Sequence, residues 1–397
     1  MRNDNQKLSP QELMKERKQL FVDAVRQKKK PKKIPNLSNT YTWKICDSPY
    51  KFSEVLYDYD KMFEVECEHH EKYDFDLYSS HGGRNTPAFG DQFGKGHGYV
   101  ISDENYVIQC LDSRSLVSEK EYPILFEKGL DKYYFENCLA QKYDLTATQD
   151  AISRFAPAAK ERLKINEYLK KTSKHFKEVY GLPDRAVFGP EFPCDTLFQT
   201  IRGMKGFSVD LRRNTYYMEQ ALEMIDDYCF PALKKRMDVA KEEDTVVFSG
   251  GRGVSMVHTV LNPKQFEKYH WPFIKRYVDL VAENDLTCGL FMEGSIDMFF
   301  DYLQDLPKGC VSLQIEQTDA ALAKKKLPNL TITGGFPVHF LGNVSVQETL
   351  DKAKEVVDTL AYDGNFIFCT DKMLSYPNDA KSENLLALNN FLKECKF

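Results

Sequence analysis

The sequence has 397 residues, of which 42% are hydrophobic and 13% aromatic, so it can bury a core large enough for one barrel or two smaller domains. Lysine and arginine total 54 against 59 aspartates and glutamates, and the net charge of -5 excludes a broad basic surface for nucleic acid. No apolar run approaches the roughly 18 residues of a membrane span, and the cysteines lack the spacing of a disulfide framework, so we expect a cytoplasmic protein that binds neither membrane nor nucleic acid.

The first predicted element is a helix over residues 10–27. Ser9 can cap it, a proline occupies the first helical position, and Glu12 follows three residues after the cap, which is the pattern of a capping box. The apolar side chains of this helix share one face, so we expect a helical extension, residues 1–35, that packs on the wall of the main domain. The lysine-rich run after the helix is interpreted as a solvated linker.

The first strand and its loop are predicted at 34–45, at the start of the main domain, residues 36–397. A helix at 51–72 and a strand at 75–79 follow. The helix ends in a run of glutamates, histidines and one cysteine at residues 66–71. Because consecutive residues point to different faces of a helix, this run does not predict a zinc site.

Residues 80–145 are too long for an ordinary barrel connection and contain a predicted hairpin at 99–111, so we interpret them as an insertion near one end of the barrel. Insertions at that end commonly shape substrate pockets. His81, Arg84 and His97 lie in this segment and are candidate substrate-binding residues. Their alternative role is to hold the loop in place.

From residue 151 onward, predicted helices and short apolar strands alternate. Helices are predicted at 151–180, 214–240, 263–283, 296–304, 318–325, 346–362 and 381–395, and strands at 186–188, 245–248, 286–292, 310–316, 329–333 and 365–369. Such strands are typical of a parallel sheet covered on both faces, and the number of units predicts a (β/α)8 TIM barrel. The glycine-rich run 249–253 offers backbone amides that could donate hydrogen bonds to a phosphate or carboxylate, although such a loop alone is weak evidence for an anion site.

Three predicted strands end at a polar side chain, namely Glu293, Glu316 and Cys369. In a (β/α)8 barrel the carboxyl ends of the strands open onto a shared mouth, where catalytic residues lie. Singly, each residue fits an ordinary role, since free cysteines are commonly buried and glutamates commonly exposed. As a set they favour a bound metal. His339 and Asp371 are predicted at the same mouth, as a further ligand or a general acid.

Two segments, NPKQFEKY at 262–269 and PFIKR at 272–276, followed by the strand into Glu293 and its glycine, resemble the C-terminal half of the uroporphyrinogen decarboxylase superfamily. The resemblance extends more loosely over residues 140–397. One branch of this superfamily decarboxylates a tetrapyrrole and carries arginines in an early Gly-Arg-Tyr motif. The corresponding residues here, 36–47, contain no arginine, so the charges that would hold such an acidic substrate are missing.

The other branch consists of zinc-dependent methyltransferases that work with corrinoid proteins. They bind zinc through His-x-Cys-Gly and a late cysteine, and related methionine synthases add a glutamate. Here Phe291 stands in place of the histidine and Glu293 in place of the first cysteine, while Glu316 and Cys369 match the later ligands. The resemblance therefore implies zinc held by Glu293, Glu316 and Cys369. Such an oxygen-rich shell would make the metal a harder Lewis acid that favours an ether oxygen.

The resemblance implies an enzyme that demethylates a methoxylated small molecule, in particular an aryl methyl ether. The methyl group would pass to the cob(I)alamin of a separate corrinoid protein, and aromatic side chains such as Phe291 would line a flat pocket. One alternative function is a non-catalytic member of the superfamily that binds a ligand. A second is a decarboxylase of a smaller acidic substrate, which would use arginines such as Arg84, Arg202, Arg212, Arg213 and Arg252. The sequence is also compatible with a homodimer.

Overall fold

The computed structural model describes residues 8–56, 58–78, 99–104, 106–109, 115–138, 148–186 and 188–396. The strands in these ranges are β1 (Leu37–Ser38), β2 (Leu77–Tyr78), β3 (Tyr99–Ser102), β4 (Tyr106–Gln109), β5 (Asp184–Arg185), β6 (Val246–Val247), β7 (Arg252–Ser255), β8 (Cys288–Met292), β9 (Val311–Ile315), β10 (Thr331–Phe336) and β11 (Phe366–Thr370). The longer α-helices are Pro10–Arg26, Tyr59–Tyr73, Tyr122–Lys128, Thr148–Tyr180, Gly203–Arg213, Thr215–Glu242, Pro263–Tyr269, Trp271–Glu283, Ala320–Lys326, Val346–Leu360 and Ser382–Glu394. Four-residue helices occupy Trp43–Cys46, Phe52–Val55, Leu130–Tyr133, Pro193–Thr196, Phe300–Leu303 and His339–Gly342.

A closed ring of parallel strands forms the centre of the molecule. β7 to β11 make a five-stranded parallel sheet, and β1 pairs with β2 and β5 with β6 in the same sense. The ring closes where the amide of Phe368 in β11 donates to the carbonyl of Pro35, 2.9 Å away, beside β1. The predicted (β/α)8 TIM barrel is confirmed.

β6 and β7 are two parts of one barrel strand, separated by a bulge at residues 248–251. Both parts bond to the same neighbour, since the amide of Ala186 donates to Val247 and the amide of Arg252 donates to Phe188. Within the bulge, the amide of Gly250 donates to Thr287 and that of Gly251 to Phe248. The amides of residues 250–252 are therefore not available to a phosphate or carboxylate, because they already bond to backbone carbonyls.

The N-terminal helix begins with the predicted capping box, since the Ser9 hydroxyl accepts from the amide of Glu12 and the Glu12 carboxylate accepts from the amide of Ser9. This helix covers the end of the barrel opposite the mouth and does not lie along the wall. The hydroxyl of Thr331, the first residue of β10, donates to the carbonyl of Ala24, 2.8 Å away. Three side chains of the helix share one buried cluster with the barrel: Phe21, Ala24 and Val25 pack with Leu37, Leu77, Val247, Phe248, Ile367 and Cys369.

Side chains of each barrel strand alternate between the surrounding helices and the lumen. In β8, Leu290 and Met292 belong to the large core between strands and helices, so Gly289 and Phe291 face the lumen. The register pairs Arg252 of β7 with Gly289 of β8. The lumen is therefore lined by alternate residues of strands that lie far apart in the sequence.

The structure differs from the predicted elements mainly at breaks. The predicted helix 263–283 is two helices that meet at His270, and the loop predicted before residue 214 contains the helix Gly203–Arg213. The predicted hairpin is confirmed by the antiparallel pairing of β3 and β4. No helix among the described residues has both the length and the apolar composition needed to cross a membrane.

Candidate active site

The rim of the barrel mouth carries carboxylates at the ends of adjacent strands. Glu293 follows β8, and its amide donates to the carbonyl of Ser255 in β7, 2.9 Å away. Glu316 follows β9, and its Oε2 accepts a hydrogen bond of 2.6 Å from the amide of Gly294. The structure thus places both predicted glutamates at the mouth, on neighbouring strand ends.

Asp371 is the third carboxylate of this rim. It directly follows β11, and its Oδ1 accepts from the amide of Val338 at 3.0 Å. Burial raises the pKa of Asp371, and the charge of Glu316 raises it further, while the hydrogen bond from Val338 and the charge of Lys372 oppose this shift. The ammonium of Lys372 also lies 3.9 Å from Glu316 Oε1. Asp371 can therefore hold and release a proton at the mouth.

Below the rim, Arg252 extends into the lumen from β7. Its Nη2 donates to Oε1 of Gln314 at 2.9 Å, and its guanidinium lies 5.1 Å from the centroid of the Phe291 ring. Gly289 leaves room for this arginine, because a Cβ at that position would be 3.3 Å from Arg252 Cγ. Phe291, which is predicted to contact substrate, thus packs its ring against the guanidinium of Arg252.

A second arginine, Arg185 of β5, faces the same lumen. The preceding residue Asp184 points outward, where it accepts from Ser173 and pairs with Lys177 at 2.8 Å, so the alternation of the strand turns Arg185 inward. Burial and the neighbouring Arg252 cation lower the pKa of Arg185 to about 9. Among the described residues, no hydrogen-bond partner contacts its buried Nε atom.

Cys369 lies in the lumen beside these arginines and is 1% exposed. Burial raises the pKa of its thiol to about 12, although the charges of Arg252 and Arg185 oppose the shift, so the residue is a neutral thiol at physiological pH. In the part of the chain that the structure describes, no three histidine, cysteine, aspartate or glutamate side chains come together as a metal site requires. The described donors are therefore not gathered as a preformed zinc site, and the ligand set of Glu293, Glu316 and Cys369 stays a prediction.

The other predicted site residues lie outside this cluster. His339 is exposed at the start of the helix His339–Gly342, and its ring contacts Phe340. His81, Arg84 and His97 fall outside the described residues. Arg202 is held by an ion pair of 2.6 Å with Asp210 and by the carbonyl of Val117, which makes it a structural residue.

A buried polar network that the sequence analysis missed lies directly behind the rim. The hydroxyl of Ser255 contacts His270 at 2.8 Å and His258 at 3.3 Å, and His270 lies 3.5 Å from Asp195. Asp195 also accepts from the amides of residues 256 and 257. Burial lowers the pKa of His258 to about 4 and that of His270 to about 3, so both rings are neutral at physiological pH.

This network holds Ser255 in place, and Ser255 in turn binds the backbone of Glu293. Ser255 provides the hydroxyl at the centre of the network and also the carbonyl that accepts from Glu293. No short sequence motif marks this network, because its members are far apart in the sequence. Asp195 precedes Ser255 by 60 positions and lies on the helix Pro193–Thr196.

Comparison with known proteins supports the fold and the family. The family model described as uroporphyrinogen decarboxylase (URO-D) matches residues 193–394, just over half of the chain. A solved structure of a methyltransferase from Methanosarcina mazei superposes with a TM-score of 0.60 at 14% identity, covering 95% of this chain and 98% of that one. No curated protein matched the sequence. The chain belongs to the uroporphyrinogen decarboxylase family and has its (β/α)8 fold.

Proposed function

We propose that the protein is a methyltransferase that demethylates a methoxylated small molecule, such as an aryl methyl ether, and passes the methyl group to the cob(I)alamin of a corrinoid protein. The observation that carries this proposal is the rim of Glu293, Glu316 and Asp371 at the mouth of the barrel, because ether cleavage needs a proton donor where the substrate meets its partner. The similarity in fold to a methyltransferase supports the same reaction class.

The reaction breaks the bond between the ether oxygen and the methyl carbon. The methyl group leaves without the bonding electrons, which stay on the oxygen, and a protonated carboxyl can supply the proton that this oxygen needs. Asp371 suits this role, because burial and Glu316 favour its protonated form. The corrinoid of the partner would supply the nucleophile that accepts the methyl group.

The side chains that line the lumen are suited to binding an aromatic substrate. The ring of Phe291 and the guanidinium of Arg252 form one wall of it, and an aromatic substrate can stack against such a surface. Within this proposal, Glu293 and Glu316 line the exit toward the partner. The zinc ligand set of Glu293, Glu316 and Cys369 remains a prediction, and no step above depends on it.

The reaction is tested by incubating the purified protein with aryl methyl ethers and chemically reduced cobalamin, and by recording the absorbance of methylcobalamin. Asp371→Asn is expected to lower the rate about 100-fold, since general acid catalysis typically contributes that much. Asp351→Asn on the helix Val346–Leu360 is the matched control, because its carboxylate is exposed and accepts a hydrogen bond from Gln347 on the protein surface. No methylcobalamin above the rate without protein would contradict the proposal.

A decarboxylase of a small acidic substrate is the second candidate, because two arginines face one lumen. Residues 36–47, where the decarboxylases carry their arginines, do not favour this reaction. Their cation Lys44 is buried and paired with Glu66 at 2.6 Å. Release of carbon dioxide from small aromatic or aliphatic acids, without formation of methylcobalamin, would favour this reaction.

A further inference from the structure

A basic surface lies at the end of the barrel opposite the mouth. Residues 26–33 contain six cations and no acid, and residues 324–326 are three consecutive lysines. Gln27 brings the two segments together, because its side chain donates to the carbonyl of Asn329 at 3.2 Å and to the hydroxyl of Thr331 at 3.4 Å. The chain as a whole has a net charge of -5, so this end differs in sign from the molecule to which it belongs.

The turn at residues 362–365 holds the two segments side by side. The ammonium of Lys30 donates to the carbonyl of Tyr362 at 2.8 Å. The ammonium of Lys324 donates to the carbonyl of Asn365 at 2.6 Å. The lysine-rich run that follows the first helix therefore lies against the barrel, next to the lysines that precede β10.

Carboxylates neutralise only part of this positive charge. Five of the cations form ion pairs of 2.7–3.9 Å, namely Arg26–Asp285, Lys29–Asp23, Lys32–Glu16, Lys33–Asp76 and Lys324–Asp363. The side chains of Lys29 and Lys32 are 65% and 80% exposed, so water weakens their pairs. Six lysines of the surface are exposed: Lys28, Lys29, Lys30, Lys32, Lys325 and Lys326. The surface therefore keeps an excess of positive charge.

An exposed aromatic side chain stands among these lysines. Tyr362 is 62% exposed, and the ammonium of Lys324 lies 5.6 Å from the centroid of its ring. Tyrosine is enriched where proteins meet the headgroup layer of a membrane, because its ring is apolar and its hydroxyl is polar. Lysine attracts anionic lipids as a point charge, whereas nucleic-acid recognition favours arginine. All six exposed cations here are lysines, which favours a lipid surface.

We infer that this basic end of the barrel binds the surface of a membrane that contains anionic phospholipids. The lipid phosphates lie against the exposed lysines, and the ring of Tyr362 enters the headgroup layer. The contact leaves the mouth open to solution, because the rim of Glu293 and Glu316 lies at the other end of the barrel. Membrane binding therefore does not depend on the proposed methyl transfer.

The full chain is tested by sedimentation with vesicles of phosphatidylcholine alone and with vesicles of phosphatidylcholine and phosphatidylglycerol in equal parts. We expect binding to the anionic vesicles only, and loss of binding as the salt concentration rises, because ions screen exposed charges. The triple variant Lys28→Gln, Lys325→Gln, Lys326→Gln should bind about 100-fold more weakly, at about 5-fold for each lysine.

A second triple variant, Lys120→Gln, Lys205→Gln, Lys264→Gln, is the matched control. It removes the same charge from exposed lysines on other parts of the surface and should bind the anionic vesicles as the unaltered protein does. Melting curves show whether each variant is folded, and the comparison of the two vesicle types on the unaltered protein stands even if a variant is not.

Equal sedimentation with both vesicle types, or none with anionic vesicles at low salt, would overturn the membrane contact. Equal weakening by the two triple variants would overturn its assignment to this end of the barrel. Tighter binding to single-stranded RNA than to anionic vesicles, at equal phosphate concentration, would overturn the choice of a lipid surface.

Discussion

The amide of Gly294 donates a 2.6 Å hydrogen bond to Glu316 Oε2, which ties the end of β8 to the end of β9 at the barrel mouth. Gly294 has a φ of +75°, which side chains other than glycine rarely adopt, and an added Cβ would lie 3.1 Å from Thr259 Cγ2. The position of one rim carboxylate therefore depends on a glycine of the neighbouring strand.

Gly294→Ala is expected to lower the free energy of unfolding by about 1–3 kcal/mol, the usual cost of a left-handed backbone at a residue with a side chain. It should also reduce methyl transfer, because Glu316 shifts when its donor moves. Gly129→Ala is the matched control, since Gly129 has a φ of +76° but no neighbour within 4 Å of an added Cβ. Melting curves and rates are measured on both, and a full rate in Gly294→Ala would contradict the role of this contact.

The rate of methyl transfer should fall with rising pH as Asp371 loses its proton, and Glu316→Gln should shift this fall to lower pH. The charge of Glu316 raises the pKa of Asp371, so its removal lets Asp371 lose its proton earlier as the pH rises. Lys372→Met should shift the fall to higher pH, because the charge of Lys372 lowers the same pKa. Opposite shifts in the two profiles are the expected result, and shifts of the same sign would show that Asp371 is not the proton donor.

The buried histidines behind the rim should make stability depend on pH. Their pKa values in the folded protein, about 4 for His258 and about 3 for His270, lie below the ordinary value of 6.5. Their neutral forms therefore contribute full stability above about pH 6.5, and this contribution is lost as the pH falls toward 4, at up to about 1.4 kcal/mol per pH unit for each ring.

His270→Asn should flatten this dependence, whereas His339→Gln, which changes an exposed ring, should leave it unchanged. Chemical unfolding at a series of pH values between 4 and 7 measures the slopes. A slope in His270→Asn equal to that of the unaltered protein would show that His270 is already charged in the folded state.

Cys369→Ala tests the predicted zinc ligand. As a buried thiol, Cys369 is expected to cost about 1 kcal/mol on removal through the small cavity that remains, with the metal content of the protein unchanged. Melting temperature and elemental zinc are measured together. A loss of stoichiometric zinc in this variant would instead support the ligand set of Glu293, Glu316 and Cys369.

The rim could be predicted from sequence, but the lumen only in part. Glu293, Glu316 and Asp371 follow apolar strands directly, and parallel strands of a barrel end at one mouth. Arg185 gives no such signal, because its inward direction depends on Asp184 contacting a helix. The bulge at 248–251 has no sequence signal either, since only the folded structure shows that its amides bond to Thr287 and Phe248.

The N-terminal helix contacts strands that are made much later during synthesis. Ala24 and Thr331, joined by a hydrogen bond, are separated by 307 positions, which corresponds to roughly 15–60 s of translation at 5–20 residues per second. For that time Phe21, Ala24 and Val25 have none of the β10 and β11 residues that they will contact. We therefore expect aggregation of the nascent chain, more than the stability of the finished barrel, to limit the yield of this protein, and slower growth or added chaperones to improve it.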